Sequence, residues 1–194
     1  MLNTAVIACR VAVFTLLLTG VAYPLLVTGL AQILFPHQAN GSLVQEDQGC
    51  LVGSELIGQR CSQPAYFQPR PSAAGDLGYD PLASGGSNFG PTSRKLRDRA
   101  ISDLERLKKE NPAAASHVPS ELVTASASGL DPHLSLAGAL WQVPRVARAR
   151  RVTPERIDAV VRMHLEGPDL GFLGVPRVNV LLLNLALDRQ FGKP

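Results

Sequence analysis

Charge is scarce at one end of this 194-residue sequence: residues 1–35 contain a single charged side chain, Arg10. A second long apolar run is missing, which excludes a polytopic membrane protein. A surplus of one charge sign is missing too. The 19 basic and 16 acidic residues nearly balance, which argues against a nucleic-acid partner. Cysteine is limited to three residues, and no Cys/His spacing fits a zinc site. No G-x-x-x-x-G-K-[ST] phosphate loop and no G-x-S-x-G nucleophile elbow is present. A disordered chain is excluded by the 45% apolar content, and the composition is neither collagen-like nor of low complexity.

The uncharged run is Val11–Phe35, 25 residues long. As a helix it covers roughly 37 Å, enough for a hydrocarbon core of about 30 Å with tilt. A signal peptide has a shorter apolar region and a small-residue cleavage site, and Leu30-Ala31-Gln32-Ile33-Leu34 offers none. The run therefore reads as a retained anchor. Pro24 lies inside it, and Thr19 and Thr28 are candidates to satisfy the carbonyl it frees. Gly20 and Gly29 allow close approach of a partner helix. Arg10 precedes the run, whereas Glu46 and Asp47 follow it before the next basic residue, Arg60. The positive-inside rule then places residues 1–10 in the cytoplasm and 36–194 outside. The expected organisation is a cytoplasmic N-terminus (1–10), a transmembrane helix (11–35) and an extracytoplasmic mixed α/β (α+β) domain (36–194).

Within that domain, Ser42–Gln45 and Cys50–Ile57 suit a small hairpin. Cys50 and Cys61 would close a loop of about a dozen residues, and a bridge there would be worth on the order of 3 kcal/mol. The Pro-, Gly- and Ser-rich stretch from Pro64 to Pro91 is long for a structureless loop, and Tyr66, Phe67, Tyr79 and Phe89 are expected to anchor it by burial. Helical spacing runs from Arg94 to Glu110, capped by Ser93, with Glu105 and Lys109 as an i,i+4 pair. Leu122–Ala125 reads as a short strand. Ser135 caps a helix through Trp141 that Pro144 kinks or restarts. Thr153-Pro154-Glu155 opens another helix, bearing Ile157, Val160, Val161 and Leu165 on one face and closed by Gly167-Pro168. Pro176 opens a last, apolar helix that includes Val178–Leu187.

Three constellations invite chemistry. Ser126, Ser128, Asp131 and His133 stand close in sequence, as a hydrolase or a metal site would need. Triads are normally assembled from distant segments, and Asp131-Pro132 is also a turn initiator. Gly85–Thr92 resembles a phosphate cradle, but Pro91 removes a donor where the lysine should be near. Arg145, Arg148, Arg150 and Arg151 form a basic run, read as a solvated face or as an anionic docking site.

The sequence resembles the C subunit of the Kdp-type high-affinity potassium-transporting P-type ATPase. The resemblance rests on Tyr66-Phe67-Gln68-Pro69-Arg70-Pro71-Ser72, Gly78-Tyr79-Asp80-Pro81, Ser84–Thr92, Leu122–Ser135, Gln142–Arg150 and Gly171–Asp188. It covers nearly the whole chain. Phe89, Ser93 and Ala127 depart from the family's usual residues, and Cys50 and Cys61 are not part of its pattern. The resemblance implies a non-catalytic accessory subunit that stabilises assembly and raises the ATP affinity of the ATPase subunit. Its implied partners are a channel-like potassium-translocating subunit, the P-type ATPase subunit, a small accessory subunit and membrane lipid, in the cell (inner) membrane. ATP and potassium would be handled by the complex, with no cofactor held by this chain. The expected contact residues are Tyr66, Phe67, Arg70, Ser72, Asp80, Ser87, Asn88, Gly90, Pro91, Thr92, Ser126, Gly129, Asp131, Pro132, His133, Gln142 and Arg145. A membrane-anchored exported binding domain and a Ser/His hydrolase stay open as alternatives.

Overall fold

The computed structural model describes residues 2–46 and 49–194; Met1, Asp47 and Gln48 lie outside the described residues. Its contacts divide the chain into two compact units, Met1–Ser54 and Glu55–Pro194.

The first unit begins with a continuous apolar helix, Leu2–Leu34, whose most apolar stretch has a mean hydropathy of 2.2 and is not buried within the chain. It starts before Arg10, so it is longer than the uncharged run. It is built from α1 (Leu2–Leu17), a π-helical turn (Leu18–Ala22) and α2 (Tyr23–Leu34). The turn answers Pro24, which has no N–H for the Gly20 carbonyl. In it the Tyr23 N–H donates back to the Leu18 carbonyl, a five-residue step. Thr19 serves the preceding turn instead of the freed carbonyl: its hydroxyl donates to the Thr15 carbonyl at 2.7 Å. A Cβ at Gly20 would meet only Leu16 Cδ1 at 3.9 Å, and one at Gly29 nothing within 4 Å. A short α3 (Pro36–Ala39) follows. The expected hairpin is β1 (Leu43–Gln45) against β2 (Leu51–Ser54), antiparallel, with an irregularity between Val44 and Gln45.

The second unit packs helices on a small antiparallel sheet, which bears out the mixed helix-and-strand class. Its first helix, α4 (Arg94–Glu110), has Ser93 at the N-cap position but without a side-chain cap bond. Its ion pairs join Arg99 to Asp103 and Arg106 to Asp103 and Glu110, not Glu105 to Lys109. The stretch expected as a strand at Leu122–Ala125 forms none: Leu122 closes a 3-10 turn (Ser120–Leu122) and residues 123–125 follow without regular structure. Pro119 fixes its entry, and the Thr124 N–H and hydroxyl both return to the Ser120 carbonyl.

Three very short strands come next in importance: β3 (His133–Ser135), β4 (Leu165–Glu166) and β5 (Arg177–Asn179), in the order β3-β5-β4. Leu134 and Leu165 both pair with Val178, so the centre of the sheet is apolar. Between them run α5 (Leu136–Arg150) and α6 (Pro154–Met163), and α7 (Val180–Phe191) follows β5. The Ser135 hydroxyl accepts from the Gly138 N–H at 3.1 Å and caps α5. This helix continues through Pro144 to Arg150, ending on Arg151 in the left-handed region, so Pro144 does not start a new helix. Helix α6 starts at Pro154 as expected but stops at Met163, because Leu165 and Glu166 leave it to join the sheet. Likewise Pro176 opens a strand, not a helix. The helix begins only at Val180, where the Asn179 side chain accepts from the Leu182 N–H at 3.2 Å.

One faces-in pattern fills the core. Val146 on α5, Ile157, Val160 and Val161 on α6, and Leu183 and Leu187 on α7 are fully buried, with Leu134 and Val178 from the sheet and Phe67 from the long loop. Burying side chains of this size stabilises by about 1.5–3 kcal/mol each.

Candidate functional site

The loop from Pro64 to Pro91 has no helix or strand longer than one 3-10 turn, Pro81–Ala83. Its order comes from side chains that act as tethers. The Phe67 ring is fully buried, and its backbone N–H and carbonyl are both held by the Asn184 amide, at 2.8 and 3.0 Å. One residue on, Gln142 repeats the arrangement for Gln68, with both bonds at 2.9 Å. Two helices, α5 and α7, thus each offer one amide that imitates a neighbouring strand.

Arg145 completes this cluster. Its guanidinium donates to the Pro64 carbonyl and to Gln142 Oε1, both at 2.7 Å. Burial pushes its pKa down to about 10, against the pull of Glu110. Arg150 has its side chain 2% exposed. It bonds the Ala65 carbonyl, pairs with Asp188 at 2.7 Å and stacks on the Tyr66 ring at 4.9 Å. The Tyr66 hydroxyl donates to the same carboxylate at 2.9 Å. The basic run expected as a solvated face is therefore split: Arg148 and Arg151 are exposed, while Arg145 and Arg150 hold the loop.

A second cluster joins the loop to residues 126–133. Arg70 pairs with Asp131 at 3.1 Å. The Ser72 hydroxyl donates to the Gly129 carbonyl at 2.6 Å and accepts from the Ala74 and Tyr79 N–H groups. The Tyr79 hydroxyl donates to the Arg70 carbonyl at 2.6 Å; burial raises its pKa to about 12, which keeps it a donor. Backbone bonds close the contact: Ser126 N–H to the Pro71 carbonyl and Gly85 N–H to the Ser128 carbonyl. Pro132 is buried and its carbonyl accepts from the Val180 N–H.

Gly129 has no room for a side chain. Its φ is +68°, and a Cβ would sit 2.7 Å from both Ala74 Cβ and the Gly85 carbonyl oxygen. Asp131 also accepts from the His133 N–H at 3.0 Å. Burial works to raise its pKa, but the bonds from His133 and Arg70 outweigh that and hold it below the ordinary carboxylate range.

The remaining expected contact residues lie outside both clusters. Asp80 caps the 3-10 turn by accepting from the Leu82 N–H. Asn88, Gly90, Pro91 and Thr92 are exposed, Ser87 is half-buried, and Asn88 takes a positive φ of 51°. Phe89 is 39% exposed, so it does not anchor the loop as Phe67 does.

The enzymatic readings of these segments meet physical obstacles. Ser126 is buried, the Ser128 hydroxyl accepts from the Leu130 N–H, and among the described residues no serine bonds His133. The Gly85 N–H, needed for a phosphate cradle, is already bonded to Ser128. Among the described residues no group of three or more His, Cys, Asp and Glu side chains is placed to hold a metal ion. Cys50 and Cys61 are free thiols, not a bridge. Cys61 instead accepts a bond from the Asn184 amide at 3.7 Å, and burial pushes its pKa up despite that bond.

An open cavity of about 380 Å³ lies beside these clusters, with Arg60, Cys61, Tyr79, Arg106, Glu110 and Gln142 in its wall. Sequence reasoning missed Asn184 and Asp188. The signal was there in part, since Asn184 is one of two polar residues, with Asn179, inside the apolar stretch Val178–Leu187.

Among the described residues one helix is long and apolar enough to cross a membrane, and a small domain of helices and short strands follows it, the pattern of a single-pass membrane protein. The side chains that distinguish the domain hold its long loop in one shape. Comparison with known proteins gives the family: the chain matches KdpC, the c chain of the K+-transporting ATPase, over residues 5–189, and belongs to that family. It is 62% identical over 192 residues to the potassium-transporting ATPase KdpC subunit of Myxococcus xanthus, covering 99% of this chain and 90% of that one. It is 54% identical to the KdpC subunit of Rhodospirillum rubrum, over 90% of each chain. The KdpC subunit of Nitratidesulfovibrio vulgaris is likewise 54% identical, over 93% of this chain and 92% of the relative.

Proposed function

We propose that this chain is an accessory subunit of an ATP-driven potassium uptake complex, and that it stabilises the complex and raises the ATP affinity of its ATPase subunit indirectly. The observation that carries the reading is the uncovered helix Leu2–Leu34, whose most apolar stretch has none of its surface buried within the chain. Such a helix needs lipid and partner helices around it. Gly20 and Gly29 leave open space for a partner backbone. The proposed neighbours are the channel-like subunit, the P-type ATPase subunit and the small accessory subunit, in the inner membrane. The proposed orientation puts the N-terminus in the cytoplasm and residues 36–194 outside.

In that orientation the domain stands on the side of the membrane away from ATP. An effect on ATP affinity then has to travel as a coupling free energy between sites. ATP and potassium are handled by the complex, with this chain in an accessory role. The interlocked loops, with the exposed tract Asn88–Thr92, supply the contact surface.

The test uses the whole complex. Gly20→Leu with Gly29→Leu is expected to lower the yield of co-purified subunits and to raise the KM for ATP with kcat little changed. Protease protection in sealed membrane vesicles fixes the side on which the domain lies. A cytoplasmic domain, or full complex yield from the double variant, refutes the reading.

A further inference from the structure

The connection from β4 to β5 carries an apolar tip that the site above does not use. From Leu170 to Pro176 there is no charged side chain. Leu170 is 84% exposed, Phe172 75% and Val175 69%. Four large apolar groups in one short tip, with Leu173, are unusual on a surface that faces only water.

The base of the tip is built differently. Arg177 pairs with Asp169 at 3.1 Å and with Glu166 at 3.3 Å, so the charges stop at the base, where one guanidinium serves two carboxylates. Part of the backbone of the tip and its base is paired internally. The Asp169 N–H and Leu173 carbonyl, and the Leu173 N–H and Asp169 carbonyl, bond at 2.9 Å. The Gly171 N–H bonds the Pro168 carbonyl and the Phe172 N–H bonds the Asp169 carbonyl. Four donors that would otherwise need water are therefore occupied. An unpaired backbone group is costly in an apolar phase, so these bonds lower the cost of moving the tip out of water.

We propose that the tip Leu170–Val175 inserts into the interfacial layer of the lipid bilayer, as a second and reversible membrane contact of the domain. A bilayer is the apolar phase to which this chain is already tethered. The segment from Phe35 to Ser54 can extend to at most about 70 Å, and its hairpin shortens that reach. A weak contact with such a surface is an intramolecular event with a high effective concentration. A few buried Leu, Phe and Val side chains then suffice. The proposal rests on the membrane-spanning reading of Leu2–Leu34, but not on its orientation or on any effect on ATP.

The test takes the full chain, in vesicles of phosphatidylcholine, without other subunits. The sequence has one tryptophan, Trp141, which is buried in the core, so Phe172→Trp adds a reporter at the tip. Leu170→Trp is a second reporter position. The expected result is added emission that is blue-shifted and that is lost when the acyl chains carry bromine, while the parent emission from Trp141 is unchanged. Added emission that stays at the wavelength of tryptophan in water, and is quenched by iodide but not by brominated lipid, overturns the proposal. So does a tip that becomes shielded only when the other subunits are added, since the contact is then protein. Flotation with the vesicles is scored in the same samples. A chain that does not float refutes the anchor itself, and the proposal with it.

Discussion

Arg70 and Asp131, 61 residues apart in sequence, meet at 3.1 Å and join the long loop to the turn that leads into β3. The Arg70 Nε is buried with no hydrogen-bond partner, so the guanidinium depends on this carboxylate. Asp131→Asn keeps an acceptor for the His133 N–H and removes the charge. It is expected to cost about 1–3 kcal/mol at neutral pH.

The pH dependence of that loss has a definite sign. The Asp131 pKa is lowered in the folded chain, so its contribution is complete above the unfolded value of about 4 and disappears as pH falls through the lower folded value. Urea midpoints of the parent and Asp131→Asn chains, in detergent, should therefore converge on acidification. A gap that stays constant from neutral pH down into strong acid contradicts this account.

Gly129 and Gly90 make a matched pair. Alanine at Gly129 meets a positive φ and three atoms closer than 3 Å, whereas Gly90 has open space. Gly129→Ala is expected to lose about 3 kcal/mol or more, and Gly90→Ala about 0.5 kcal/mol or less. Thermal melts of the two variants side by side decide it; equal losses would mean the loops are not interlocked as described.

Asn184 is 5% exposed and holds both backbone groups of Phe67. Asn184→Ala leaves a buried donor and a buried acceptor without partners, at an expected cost of about 2–4 kcal/mol. Hydrogen exchange gives a local readout: the Phe67 amide should be protected in the parent and lose that protection in the variant. Retained protection would show that another group holds it.

The cysteines offer a chemical check. Cys50 is exposed, and Cys61 is partly buried with its pKa pushed up by that burial. At neutral pH, maleimide should label Cys50 faster than Cys61 by about tenfold or more. Mass spectrometry of the digested chain should find both peptides unlinked; a Cys50–Cys61 cross-link would be contrary to the free thiols described here.

What the sequence made legible followed the strength of the local signals. The apolar helix was plain from its missing charges. The starts of α5 and α6 were plain from Ser135 and from Thr153-Pro154. The sheet was not, because β3, β4 and β5 are two or three residues long, too short for an alternation to register. β5 runs directly into α7, so Val178 and the residues after it read as one apolar helix. The Arg70–Asp131 pair lay between two stretches that were singled out, but nothing local says that they touch. Arg145 read as surface because charge suggests water, whereas its place in α5 between Gln142 and Val146 turns it to the core.

The π-helical turn at Leu18–Ala22 takes up one more residue than an α-turn. Everything after it is rotated by about 100° relative to an uninterrupted helix. The stripe of side chains that faces a neighbour before Ala22 is therefore not continued after Tyr23. The anchor has two sectors with different headings, and it can lie against one neighbour with its first half and against another with its second. Deleting one residue in the turn would bring the sectors back into phase and leave one of those neighbours facing the wrong side chains.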